Sequence, residues 1–141
     1  MFSVTKVITF CYGHRLLNYQ GKCRYLHGHN GKVEIELSSK RLDARGMVRD
    51  FEDVKRTIQQ WIDTTLDHAM LLNRKDPLIA KLKGERLFLM DTNPTAENIA
   101  KIIFDYGAAS RFPVTGVTLW ETDHSFATYR SAAPRQTRRR N

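Results

Sequence analysis

The chain has little cysteine: Cys11 and Cys23 are the only two in 141 residues. Two are too few for a disulfide framework, and a reducing compartment keeps both as thiols. Also absent is any apolar run approaching the ~20 residues that span a bilayer. The opening MFSVTKVITF alternates polar with apolar residues and lacks the apolar core of a signal peptide. A secreted disulfide scaffold and a helical membrane protein are therefore not expected, and the expected location is the cytoplasm.

A third absence is local. The last twelve residues contain no acid, yet they hold Arg130, Arg135, Arg138, Arg139 and Arg140, so five of the eight units of formal net charge lie there. The body of the chain is left with an ordinary balance. No aromatic residue interleaves with those arginines, so a stacking platform for nucleic acid is not evident. Residues 132–141 read as a basic, disordered, solubilising tail, with weak phosphate or RNA attraction as the sharper alternative. Residues 1–131 form the one domain that this length and 41% hydrophobic content allow.

Within that domain, residues 2–16 read as a strand, with Val4, Ile8, Phe10, Tyr12 and Leu16 among the even positions of a largely apolar face. A second strand over residues 25–39 places Val33, Ile35 and Leu37 on one face and Lys32, Glu34 and Glu36 on the other. A helix over 51–66 has Asp50 as its N-cap and a stripe of Val54, Ile58, Trp61 and Ile62. Another spans 95–109, with Asn93-Pro94 at its start and Ile99, Ile102, Ile103 and Tyr106 buried. Residues 74–90 read as irregular with a short strand at 87–90, and 116–121 and 127–130 as two closing strands. Strands, helices and strands in that order argue for an α+β fold.

Three histidines are in phase with this core. His14 shares even parity with Phe10 and Tyr12; His27 and His29 share odd parity with Val33, Ile35 and Leu37. If the two strands pair antiparallel without a bulge at Gly28 or Gly31, the three imidazoles converge on one face. Three neutral imidazoles with a fourth position open are the ligand set of a catalytic zinc site. Taken singly, each is more often a satisfied core histidine; it is the shared phase of all three that brings the metal reading level with that one.

Cys23 lies four residues before His27, between Lys22 and Arg24. It is either an inert buried thiol or, with those cations favouring the thiolate, a base or nucleophile. Cys11 falls on the face opposite His14 and reads as packing. Asp67-His68 ends the first helix, either as a cap or as a carboxylate holding an imidazole's tautomer. Glu121 follows the apolar run Val117–Trp120, where a buried carboxylate needs a partner.

Together these residues resemble the 6-pyruvoyl-tetrahydropterin synthase / 6-carboxy-tetrahydropterin synthase family. The motifs are Phe10…Gly13-His14-Arg15-Leu16, Cys23-x3-His27-Gly28-His29-Asn30, Met47-Val48-Arg49-Asp50-Phe51, Leu66-Asp67-His68, Pro94-Thr95-Ala96-Glu97-Asn98 and Glu121-Thr122-Asp123-His124-Ser125. They occur in family order. The resemblance implies a T-fold, a four-stranded antiparallel sheet with two helices on one face that assembles into barrels, commonly hexamers of two stacked trimers. It implies Zn2+ on His14, His27 and His29, proton transfer by Cys23, Asp67 and His68, and a pterin held by Glu121 near Thr95. The short spacing from Cys23 to His27 resembles the 6-carboxy branch of the queuosine route, which acts on 7,8-dihydroneopterin triphosphate. The pyruvoyl branch of biopterin synthesis is the alternative, and a non-catalytic zinc module binding RNA is the distant one. Cys11-Tyr12-Gly13 departs from the small residues usual before the first histidine.

Overall fold

A computed structural model of the chain describes residues 1–132, so the basic tail expected over 132–141 lies, but for Ala132, outside the described residues. The domain is built on one sheet. β1 (Phe2–His14) and β2 (His27–Ser39) form an antiparallel ladder with no bulge, from Phe2 opposite Ser39 to His14 opposite His27. β5 (Val114–Thr122) extends it antiparallel to β2, and β6 (Ser125–Arg130) closes it antiparallel to β5. These are four of the five strands expected, each within a few residues of its expected bounds, and the fifth, at 87–90, is formed as well.

The count of four for the sheet needs correction. β3 (Ala69–Asn73) runs parallel to β1, and β4 (Leu87–Met90) runs parallel to β3, giving a six-stranded mixed sheet in the order β4-β3-β1-β2-β5-β6. The turn that makes this possible is at Asp67-His68. The Asp67 carboxylate accepts the Cys11 N–H at 2.9 Å, the His68 N–H donates to the Cys11 carbonyl at 2.7 Å, and His68 takes a left-handed backbone (φ 57). The chain then continues beside β1, with Ala69 opposite Tyr12 and Leu71 opposite His14.

The first helical run is α1 (Phe51–Val54), a π-helical stretch Lys55–Gln59 and α2 (Gln60–Thr65). Asp50 caps it as expected, its side chain accepting from the Glu52 N–H. α3 (Ala96–Ala109) starts one residue later than expected, because Thr95 is its N-cap and Pro94 lies just before the helix. Both helical runs pack on the same face of the sheet, with Val54, Ile58, Ile62, Ile99 and Ile103 against Ile8, Phe10, Val33, Ile35 and Leu119. Each such side chain removed from water contributes about 1.5–3 kcal/mol. The Trp61 and Tyr106 rings stack at 4.3 Å and bind one helical run to the other. No helix among the described residues is long and apolar enough to cross a membrane.

Candidate metal and substrate site

The bulge-free ladder delivers the convergence that parity implied. His14 sits directly opposite His27, with His29 next along β2 on the same face, and ligand nitrogens of all three lie within 4.8 Å of one another. The ring centroids are 4.5 to 5.1 Å apart.

Two of the tautomers are fixed by backbone carbonyls, which only accept. His14 Nδ1 is 2.6 Å from the Pro94 oxygen and His27 Nδ1 is 2.7 Å from the Tyr25 oxygen, so both donate there and turn Nε2 toward the cluster. His14 Nε2 and His29 Nε2 are buried and, among the described residues, without a hydrogen-bond partner. Buried polar atoms are paired as a rule, and two orphans facing each other imply an absent partner. Burial pushes the His14 pKa down, opposed by the Pro94 carbonyl and Glu121 and aided by His27 and His29. The neutral form is the one that ligates. A divalent ion suited to imidazole therefore fits this donor set, and zinc is the first candidate.

Glu121 faces the same cluster from β5, its oxygens 3.8 Å from His14 Nε2 and 4.0 Å from His29 Nε2. Tyr12 holds it, donating its hydroxyl to Oε1 at 3.2 Å. Burial raises the Tyr12 pKa far above its ordinary value, and the Glu121 charge raises it further, so the phenol stays a donor. Gly31 makes room for that ring: a Cβ there would stand 3.0 Å from Tyr12 Cε1. Sequence reading missed the place of Tyr12 beside this cluster, because its partner lies 109 positions away.

A cavity of about 320 Å³ opens beside this cluster and gathers His14, Cys23, Thr95 and Glu121. Cys23 lies on the 3-10 turn Lys22–Arg24 and is not part of the metal-ligand cluster. Thr95 lines the cavity while its Oγ1 accepts the Asn98 N–H as the cap of α3. Glu97, which belongs to the Pro94–Asn98 motif and had no role assigned, lines it too, as does Tyr19.

The remaining expected pair is elsewhere. His68 lines a larger cavity of about 650 Å³ with Cys11, Asn30, Met70 and Arg86, and the β2 residues His27 and His29 border it too. Asp67 Oδ2 is 2.8 Å from His68 Nδ1, and the His68 side chain is 75% exposed. Burial works to raise the Asp67 carboxyl, but the Cys11 N–H, His68 and Arg86 together hold it below the usual carboxylate range. Cys11 is on the face opposite His14, as its parity implied, but it is exposed at the cavity and not packed, its thiol donating to Asn30 Oδ1 at 3.0 Å. Within one chain the cavity of His14, Cys23, Thr95 and Glu121 is lined by neither Asp67 nor His68, which lie on the other side of the β1–β2 ladder.

A family model described as 6-pyruvoyl tetrahydropterin synthase matches residues 3–132. The 6-carboxy-5,6,7,8-tetrahydropterin synthase of Rickettsia conorii is 36% identical over 135 residues, covering 89% of this chain and 98% of that protein. The protein of the same name from Haemophilus influenzae is 33% identical over 139 residues, covering 92% and 99%. Among solved structures, an uncharacterized protein from Wolinella succinogenes superposes with a TM-score of 0.78 at 27% identity, covering 93% of this chain and 98% of that one. The 6-pyruvoyl tetrahydropterin synthase of Caenorhabditis elegans gives 0.68 at 25% identity, covering 93% and 96%. The fold is the T-fold of these proteins, here with a six-stranded sheet. With the match running almost from end to end, the chain belongs to the 6-pyruvoyl tetrahydropterin synthase family.

Proposed function

We propose that the chain is a zinc-dependent 6-carboxy-5,6,7,8-tetrahydropterin synthase. It would convert 7,8-dihydroneopterin triphosphate to 6-carboxy-tetrahydropterin, releasing acetaldehyde and triphosphate, as a cytoplasmic lyase of the queuosine route. The observation that carries this reading is the grouping of three histidines with Cys23 off the ligand cluster. A structural zinc site is closed by four protein ligands, whereas a catalytic one keeps a position open beside a free reactive group. This argues against a zinc module that merely binds RNA. The 6-carboxy product is favoured over the 6-pyruvoyl one by the names of relatives 33% and 36% identical.

His14, His27 and His29 would hold the zinc, which would supply a Lewis acid to polarise oxygens of the substrate's side chain. Glu121, steadied by Tyr12, accepts the adjacent N–H groups of the pterin's amino-pyrimidinone edge. Thr95 borders the same pocket. Cys23 and His68 move protons on and off the side-chain carbons, with Asp67 accepting from His68 Nδ1 and leaving Nε2 for the proton. Cys23 and His68 line different cavities, so both serve one substrate only if a second copy brings its own Asp67-His68 to the first copy's Cys23. The outer edges of β4 and β6 give a neighbour strands to pair with. We therefore read the protein as a homo-oligomer, a hexamer by family resemblance.

Mass spectrometry after incubation with 7,8-dihydroneopterin triphosphate tests the reaction. 6-Carboxy-tetrahydropterin with acetaldehyde is the expected result. A 6-pyruvoyl product would shift the assignment to the branch named by the family model and the C. elegans structure, and unchanged substrate would remove both.

A further inference from the structure

The loop between β1 and β2 is more ordered than a connection needs to be. The Leu16 N–H donates to the Cys23 carbonyl at 2.9 Å, closing residues 16–23 into a ring of chain with Cys23 at its base. Asn93 grips the loop's stem on both sides, accepting from the Leu17 N–H at 3.0 Å and donating to the Leu17 carbonyl at 2.9 Å. Asn18 adopts a left-handed backbone (φ 54), and Tyr19 follows it. The Tyr19 ring lies on Gly21, where a Cβ would stand 2.6 Å from Cε1, so any larger residue there would push the ring aside. An aromatic residue 48% exposed to water thus rests its ring on its own loop.

Tyr19 also stands between two cavities of opposite character. On one side is the cavity of His14 and Cys23, to which Glu97 and Glu121 bring two carboxylates. On the other is a cavity of about 380 Å³, lined by Arg15 and Arg24 and by no acid. Arg15 is already matched, donating through Nε at 2.7 Å and through a second nitrogen to the buried Asp76. Arg24 has no carboxylate partner among the described residues; it donates to the Tyr25 hydroxyl at 2.6 Å. Lys22, the other cation flanking Cys23, lines neither cavity.

The proposed substrate has the same asymmetry: a flat bicyclic ring with N–H donors at one end and a polyanion at the other. We propose that loop 16–24 sorts these two ends, with Tyr19 laid against the pterin ring in the acidic cavity and Arg24 receiving the triphosphate in the basic one. The inference rests on the reading of the protein as a pterin triphosphate enzyme. Stacking against an aromatic face suits any planar heterocycle, and guanidinium forks suit phosphate oxygens.

The test uses the zinc-loaded enzyme, with neopterin as a ring without phosphates and 7,8-dihydroneopterin triphosphate as the full substrate. Tyr19→Ala is expected to weaken neopterin binding in calorimetry by about tenfold, by analogy with base stacking on aromatic side chains, and Tyr19→Phe to restore it. Arg24→Gln is expected to leave neopterin affinity unchanged, to raise the KM for the triphosphate substrate by about tenfold, and to flatten the dependence of that KM on salt. Zinc content and melting temperature establish that each variant is folded; Tyr19→Leu, which keeps bulk without a ring, replaces Tyr19→Ala if that variant is not. Wild-type protein that fails to bind neopterin overturns the function itself. Wild-type protein that binds it, with Tyr19→Ala or Tyr19→Leu binding equally well, overturns the ring half of the inference. An Arg24→Gln enzyme with unchanged KM, or one weakened equally for neopterin, overturns the phosphate half.

Discussion

On one side of β1 a cavity of about 320 Å³ holds His14, Cys23, Thr95 and Glu121; on the other, one of about 650 Å³ holds Cys11 and His68. The first contains His14, whose buried Nε2 faces the histidine cluster and has no hydrogen-bond partner among the described residues. In the second, the Asp67 carboxylate already has the Cys11 N–H and His68 as partners, and the His68 ring is open to water. Orphaned buried atoms call for a small ligand, because leaving them unpaired costs about 1–3 kcal/mol each. A satisfied, exposed Asp-His pair calls for nothing within its own chain. It is available to whatever docks over it. In the proposed function, metal and pterin binding fall to the first region and an intermolecular role to the second.

The comparison breaks most completely at the ligands. Elemental analysis of His27→Ala is expected to show zinc largely lost, and full occupancy would remove the metal from the first cavity. Cys23→Ala should lower kcat by roughly 10²–10⁴-fold, the range for a proton-transfer group, while zinc content and pterin affinity stay near wild type. Loss of metal in that variant would make Cys23 a ligand and undo the distinction from a closed structural site.

A third variant tests the brace between the two regions. Arg15 follows His14, and its partner Asp76 caps the 3-10 turn Pro77–Lys81, which leads toward Arg86 of the second cavity. The side chain of Asp76 is fully buried, and the Arg15 hydrogen bonds hold its carboxyl below the usual range against burial. A carboxylate lowered on folding contributes stability above its unfolded pKa and loses it as the pH falls through the folded value. Asp76→Asn should therefore cost about 3 kcal/mol in denaturant titration at pH 7, and the gap to wild type should narrow below about pH 4. A gap independent of pH would mean that the pair contributes only through shape.

The smallest expected effect is at the pterin anchor. Glu121→Gln turns an acceptor-only group into one that is half donor, and its charge-assisted bonds are worth ~1.5–3 kcal/mol. Pterin affinity should fall by roughly ten- to a hundredfold in calorimetry. Unchanged affinity would leave Glu121 as a companion of the imidazoles alone.

The convergence of the three histidines was legible because strand parity is a local property and the ladder between β1 and β2 has no bulge to break it. Asp50 as N-cap and the stripes of both helical runs were legible for the same reason. β3 was not: it pairs with β1 through only three residues, and nothing in Ala69–Asn73 announces a parallel neighbour fifty-seven positions earlier. Parity gave Cys11 its side of the strand correctly but not what covers that side, which is an open cavity and no core. The Tyr12–Glu121 bond and the separation of His68 from Cys23 depend on how distant segments meet, and no spacing rule encodes them.

The division of one reaction between two copies is the claim on which the comparison stands, and it has a direct test. Cys23→Ala and His68→Ala are each expected to be inactive as homo-oligomers. Co-expressed with different tags and purified through both, they form mixed oligomers in which some interfaces join an intact Cys23 to a neighbour's intact His68. With random assembly and closed symmetry, such interfaces are about a quarter of the total. Activity recovered to about that fraction of wild type is the expected result. Mixed oligomers as inactive as either parent would contradict the division and confine catalysis to a single chain.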